Sequence, residues 1–201
     1  MNPVIEAIKK RRSVRLYEPK PIPRDVINTI IEAGNLAPST YPFQPWRFVV
    51  VEDPEFKQKL VQTIEPIRKK SVEGMKETLP DMYEKAMRLY EAMPEPKDLI
   101  YHSAPVIIFV IGPAGHAVSC ALACENIMIA AVSLGLGSCY VGFGAMVNSN
   151  VDVVQALELK DNERIYGPIV LGYPKVDPSA EVVSALAAIR VKKKEPVIKW
   201  I

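Results

Sequence analysis

The chain is poor in cysteine, histidine and tryptophan, with three, two and two among 201 residues. An odd and sparse cysteine count leaves no disulfide framework, and it points to a reducing compartment, expected here to be cytoplasmic. Cys120 and Cys124 stand four apart in an apolar helical stretch and read as small buried side chains. His102 and His116 sit at no recognisable metal-ligand spacing, so no metal site is expected. One-signed charge is also lacking. A net charge of +2 is too small for a nucleic-acid surface, and no nucleic acid partner is expected. The longest apolar region, from Ala117 onward, is broken by Glu125-Asn126 and then by glycines, so it reads as a buried helix and no membrane association is expected. Met1 to Arg15 has no long apolar core and carries its charges after its apolar residues, which argues against a signal peptide. No Ser/His/Asp or Cys/His constellation suggests a side-chain nucleophile.

What the chain does have is ordinary globular composition, 49% hydrophobic and 24% charged, with length for one domain over residues 1–201. Asn2 and Pro3 open a helix with Val4, Ile5 and Ile8 as its apolar stripe, and a second helix is expected from Arg24 to Leu36. Trp46 to Val51 reads as a strand, and Asp53-Pro54-Glu55 restarts a helix. From Pro66 to Pro96 the chain is charged and helical between proline breaks, either ordinary packing or a lid over a site. Ala104 to Ile111 is a continuous apolar run suited to a central strand, and Gly115 to Leu134 is the most apolar helix. Gly135-Leu136-Gly137-Ser138-Cys139-Tyr140 fails the dinucleotide fingerprint because position 140 is Tyr. A short helix over 148–159 and a strand over 166–174 complete an α+β or α/β pattern.

Two stretches carry chemistry. Arg11-Arg12-Ser13-Val14-Arg15 packs three guanidiniums and a hydroxyl into five residues, a donor set for phosphate or carboxylate oxygens. The same arginines at the end of a helix also serve to offset its dipole. The second stretch is Ala37-Pro38-Ser39-Thr40-Tyr41-Pro42-Phe43-Gln44-Pro45-Trp46. Basic residues gather again near the other end, at Arg190, Lys192, Lys193, Lys194 and Lys199, before an apolar finish of Val197, Ile198, Trp200 and Ile201.

Together these stretches resemble the FMN-dependent nitroreductase family, and the resemblance continues through Glu125-Asn126, Gly135-Leu136-Gly137 and Leu171-Gly172-Tyr173-Pro174. It implies an α+β fold, a three-layer α/β/α sandwich around a mixed, mainly antiparallel sheet, assembled as an intertwined homodimer. The cofactor implied is FMN at the dimer interface, with NADH or NADPH as a transient donor. Carried over by residue, Arg11, Arg12 and Ser13 would hold the phosphate and ribityl end, while Arg15 would reach the pyrimidine edge and stabilise the negative charge that reduction leaves. Pro38, Ser39, Thr40 and Gln44 would come from the partner chain. Cys139, Tyr140, Val141 and Gly142 would pass the ring and offer a backbone N–H near flavin N5. Lys192 and Lys194 would meet the phosphate, and the tail over 191–201 would clasp the partner. Tyr83 and Tyr90, in a variable lid over 66–96, are candidates for stacking on substrate, or else for core packing.

Two departures bear on substrate choice: Pro42 replaces the family's usual Asn, and the tail carries lysines where an arginine is common. The implied reaction passes electrons from a reduced nicotinamide to a flat acceptor such as a nitroaromatic or quinone, by a ping-pong mechanism. The Arg-Arg-Ser-Val-Arg form is also similar to that of iodotyrosine deiodinase relatives, so reductive dehalogenation is an alternative. A non-catalytic flavin-binding protein is a third reading.

Overall fold

The computed structural model describes residues 2–93, 95, 97–175 and 196–200. Helix α1 (Pro3–Lys10) starts where the sequence reading put it, with the Asn2 side chain accepting the Val4 N–H at 2.9 Å and Pro3 in the first turn. Helix α2 (Arg24–Asn35) follows an extended segment and leads through a 3-10 turn at Tyr41–Phe43 into β1 (Arg47–Val51). Asp53 caps α3 (Pro54–Thr78) by accepting the Phe56 N–H at 2.7 Å. Next come α4 (Pro80–Ala92), β2 (Val106–Pro113), α5 (Ala117–Ser133), β3 (Gly137–Tyr140), α6 (Val151–Ala156) and β4 (Glu163–Gly172).

The four strands form one sheet in the order β1-β2-β4-β3, paired antiparallel throughout. A parallel contribution comes from an isolated bridge, Ser13 to Ser138. Successive side chains of a strand point to opposite faces, and β2 uses this to build two cores. Val106, Ile108 and Val110 pack with Ile27 and Ile30 of α2 and Ala123 and Ile127 of α5. Ile107, Phe109 and Ile111 pack with Leu60 and Ile64 of α3 and Val153 of α6. Helices therefore cover both faces, the three-layer α+β arrangement expected from the resemblance.

Several boundaries differ from the sequence reading. Strand β4 begins at Glu163, not Tyr166, because Glu163, Arg164 and Ile165 pair with Pro113, Gly112 and Ile111 of β2. Pro66 does not break the chain: α3 runs through it to Thr78, and the break falls at Leu79 before Pro80. A proline interior to a helix forfeits one backbone bond, which the remaining turns of α3 absorb. The apolar stripe of α1 does not face the core. Val4, Ile5 and Ile8 are exposed, and only Ala7 is buried. Leu36 at the end of α2 and Val118 and Leu122 of α5 are exposed as well. Helices α1 and α2 both pack on α5, so these apolar residues lie on adjoining elements.

Candidate functional site

The arginine stretch divides into two jobs as it leaves α1. Arg12 turns back, its Nη1 donating to the carbonyls of Lys9 at 2.6 Å and Arg11 at 2.7 Å, so it satisfies carbonyls left over at the helix end. That is the helix-closing role, and it engages only Nη1 of the guanidinium. The segment then runs beside β3, where Val14 N–H donates to the Ser138 carbonyl at 2.9 Å. A Cβ at Gly137 would stand 2.8 Å from the Val14 side chain, so glycine is what lets the segment lie this close. Tyr17 locks the far end, its hydroxyl donating to the Val14 carbonyl at 2.5 Å while its backbone bridges to Pro174.

Arg11, Ser13 and Arg15 all bear on Cys139 of β3, the strand that the segment bridges at Ser13 and Ser138. Burial, the largest influence, pushes the Cys139 thiol up, while Arg15, a hydrogen bond from Ser13, and Arg11 act in the opposite sense. The thiol thus stays protonated and packs in the core with Ile107 and Phe109. Arg15 also bears on Tyr17 and on His102. Its guanidinium has no hydrogen-bond partner among the described residues. Arg11 has a long contact, 3.9 Å from its Nε to Glu125 Oε1 of α5. Two guanidiniums with unspent donors next to a hydroxyl suit a phosphate or an electron-rich ring edge.

Beyond Cys139 the chain makes a 3-10 turn at Phe143–Ala145. Val141 N–H is spent on the Pro168 carbonyl at 2.9 Å, so it is unavailable to a ligand. The N–H of Gly142 donates to nothing among the described residues, and no atom lies within 4 Å of where its Cβ would be. Gly142 thus offers an open backbone donor at this corner. The Tyr140 hydroxyl is committed to the Tyr166 carbonyl.

The proline-rich loop sits elsewhere in the chain. Thr40 N–H donates to Ser119 Oγ at 3.2 Å near the start of α5, six residues before the Glu125 that meets Arg11, about 9 Å along the helix axis. Among the described residues no hydrogen bond joins this loop to Arg11, Ser13 or Arg15. Ser39 holds the loop's shape, donating to the Tyr41 carbonyl at 2.6 Å and accepting the Gln44 N–H at 3.1 Å. Tyr41 and Gln44 have positive φ of 51° and 41°, a strained backbone that the Ser39 bonds support. Pro38, Thr40 and the ring of Phe43 are left facing outward, with Gln44 Nε2 reaching the Asn35 carbonyl at 3.4 Å.

Tyr83 and Tyr90 lie on α4, which has no buried residue, so neither is a core side chain. Lys76 stands over the Tyr83 ring at 5.9 Å, and Lys97 and Arg68 over Tyr90 at 4.4 and 5.8 Å. Tyr90, Met87 and Arg68 line a groove of about 470 Å³ between α3 and α4. Lys192 and Lys194 lie outside the described residues. Val197 and Trp200, further along the tail, are exposed.

Sequence reasoning missed His102, Tyr17 and Asp98. Asp98 accepts the N–H groups of Ile100, Tyr101 and Ser103 at 2.9, 2.8 and 2.9 Å and so builds the turn that precedes β2. An aspartate two residues before a run of N–H groups is a turn signal, but it reads like any other loop until the fold places it.

The geometry can be set beside known proteins. A Methanothermobacter thermautotrophicus protein named for NADH dehydrogenase or NAD(P)H nitroreductase activity is 28% identical over 182 residues, covering 87% of this chain and 79% of that one. The crystal structure of a Bacteroides fragilis nitroreductase with bound FMN matches all of both chains at 27% identity and a TM-score of 0.70. Iodotyrosine deiodinase 1 of Rattus norvegicus is 45% identical over 60 residues, 30% of this chain and 21% of its own length. The family model named Nitroreductase matches residues 8–173, from the end of α1 through β4, and the chain belongs to the nitroreductase family.

Proposed function

We propose that this chain is an FMN-dependent oxidoreductase that takes electrons from NADH or NADPH and passes them to a flat electrophile such as a nitroaromatic or quinone. The observation that carries the reading is the arginine segment laid against β3, Val14 N–H on the Ser138 carbonyl, with Arg15 making no hydrogen bond and Arg11 only a long contact to Glu125 among the described residues. The FMN-bound family structure and the nicotinamide-named relative support the same chemistry.

FMN, when bound, supplies the redox step itself, accepting electrons at N5 and returning them to the acceptor. Arg11, Arg12 and Ser13 would hold its phosphate and ribityl end, with Lys192 and Lys194 of the tail joining them. Arg15 would set a permanent positive charge at the pyrimidine edge, where a cation steadies the negative charge of the reduced state. The Gly142 N–H would orient the ring. Both half-reactions would use one open face, so donor and acceptor would alternate there in a ping-pong sequence.

A second copy of the chain completes this arrangement. Val4, Ile5, Ile8, Leu36, Val118 and Leu122 form the exposed apolar surface assigned to the homodimer contact. Pro38, Ser39, Thr40 and Gln44 would then reach the cofactor held by the partner. The arm over 66–96 is assigned as the lid, with Tyr83 and Tyr90 toward substrate. Three free cysteines fit a cytoplasmic setting. Among the described residues no helix is long and apolar enough to cross a membrane.

Local identity of 45% to iodotyrosine deiodinase 1 favours reductive dehalogenation as a second reading. Recognition of a zwitterionic amino acid would draw on cation and acid pairs on the arm, such as Arg88 with Glu84 beside Tyr83.

Visible absorption of the purified protein, followed anaerobically during addition of NADH or NADPH, tests the proposal. Bleaching of a flavin spectrum is expected. A flavin spectrum unchanged by both nicotinamides would leave the dehalogenase and storage readings. Absence of flavin binding even with excess FMN would remove the cofactor assignment.

A further inference from the structure

We propose that the groove between α3 and α4 binds a flat aromatic carboxylate, its ring against α4 and its anionic group toward α3. The step from ligand to electron acceptor rests on the function proposed above, which the groove then narrows to anionic aromatic acceptors. The binding itself does not depend on that function.

The two walls of the groove differ in kind. Helix α3 contributes Arg68, Lys69, Lys70 and Glu73, with Val72 as its one apolar residue there. Helix α4 contributes Ala86, Met87 and Tyr90 and no charge. Spacing explains both: residues three and four apart share a helix face, so Lys69 with Glu73 and Arg68 with Val72 line one side, and Ala86, Met87 and Tyr90 make an apolar strip on the other. At about 470 Å³ the space lies toward the small end of ligand pockets and suits a ligand built on a single aromatic ring.

The cationic wall is organised before any ligand arrives. Glu65 accepts from Nε and Nη2 of Arg68, both at 2.7 Å, which leaves Nη1 without a partner among the described residues. The Arg68 side chain is 11% exposed, so this guanidinium is held in one orientation by a bidentate pair. Glu65 also lies 3.9 Å from Lys69, and Glu73 is answered by Lys76 at 3.7 Å. Lys70 has no acidic partner among the described residues, so the wall carries positive charge in excess.

The apolar wall is held as well. Tyr90 has the Arg68 guanidinium 5.8 Å and the Lys97 ammonium 4.4 Å from its ring centroid, cation–π contacts that restrain the ring. Met87 beside it is polarizable and adapts to an aromatic surface. A free phosphate would leave this wall bare, and a neutral hydrocarbon would leave Lys70 and Arg68 Nη1 unanswered. An aromatic carboxylate meets both. The groove also adjoins the Gly142 corner: Ile64 of α3 belongs to the core on which Phe143 packs, and Arg68 follows one turn later, about 6 Å along the helix axis.

The test uses the protein as purified, without nicotinamide, and compares benzoate with its neutral isostere benzamide by calorimetry and by the methyl resonance of isotope-labelled Met87. Benzoate should bind about fivefold more tightly, the upper range for one exposed ion pair, and should shift the Met87 signal. Equal binding of the two, or a Met87 signal that benzoate leaves unmoved, overturns the proposal. Lys70→Gln should erase the preference for benzoate and Lys70→Arg should keep it, while Arg68→Gln should weaken benzoate about tenfold. Lys70 is exposed, so its variants decide even where Arg68→Gln does not fold, and a Lys70→Gln protein with wild-type preference sinks the idea. In turnover with FMN and NADPH, Lys70→Gln should raise the KM of para-nitrobenzoate about fivefold and leave its kcat and the KM of para-nitrobenzamide unchanged. An unchanged KM for para-nitrobenzoate overturns the narrowing to anionic acceptors. If benzoate binds selectively and the protein takes up no FMN, the cofactor reading fails while the groove assignment stands.

Discussion

Strand β2 is apolar from Val106 to Ile111, the α3–α4 arm is rich in charged residues, and the two end in opposite conditions. Every residue from Val106 to Ile111 is buried at 1% exposure or less, whereas α4 buries nothing and α3 buries only Leu60 and Ile64 in its first half. The strand is covered on both faces by helices, so its alternate side chains feed two separate cores. The arm meets little beyond itself. Burial follows the composition of the whole element more than the single residue: Leu79 and Met82 in the arm are about half exposed, while Ile107 is sealed. Stability should reside in the sheet, and substrate choice should be free to vary in the arm.

That contrast can be sharpened by substitution. Phe109→Ala should produce the largest effect, about 3–5 kcal/mol in urea unfolding, since Phe109 is fully buried between Tyr101 and the α3 side. A loss below 1 kcal/mol would mean the core between β2 and α3 is loosely packed.

Arg47 and Glu163 should come next, at the rim of the same sheet. Arg47 Nε and Nη2 reach the two Glu163 oxygens at 3.0 and 2.7 Å, and this pairing, ahead of other influences, lowers the Glu163 pKa to about 2. A depressed carboxylate stabilises the fold above its unfolded value, and that stabilisation is lost as pH falls from about 4.5 toward 2. Arg47→Met should cost about 2 kcal/mol at neutral pH, discounted from a fully buried pair because the arginine is partly exposed, and should flatten the acid limb of the stability profile. An unchanged acid limb would assign the titration to other groups.

At the site the effect should move from stability to binding. Arg15→Gln should leave urea unfolding within 0.5 kcal/mol, as no protein hydrogen bond is lost, yet weaken FMN binding by about 1.5–3 kcal/mol, the range for hydrogen bonds to charged groups. Equal binding measured by fluorescence titration would move the cofactor away from Arg15. The smallest change is expected in the arm: Leu79→Ser should alter stability by less than about 0.5 kcal/mol, and a larger loss would show that the arm is anchored.

Much of the fold was legible in local chemistry. The Asn2 and Asp53 caps, the apolar run of β2 and the long helix α5 all follow from propensity and pattern, which act over a few residues and survive any context. Boundaries failed where partners intervened, as at β4, whose polar start is extended only because β2 lies beside it. Periodicity also identified an apolar stripe on α1 without saying whether it faces the core or the outside.

For the site, the sequence determined the donor inventory: the guanidiniums, the serine and the glycines are set by residue type alone. Only the tertiary structure showed Arg12 donating to carbonyls at the end of its own helix while Arg15 makes no hydrogen bond among the described residues. It alone built the turn at His102 and Ser103, strained at two positions and braced by Asp98, Lys57 and Tyr101. The reason is physical: a side chain's chemistry belongs to the residue, but whether its hydrogen bonds are spent depends on neighbours that only folding supplies.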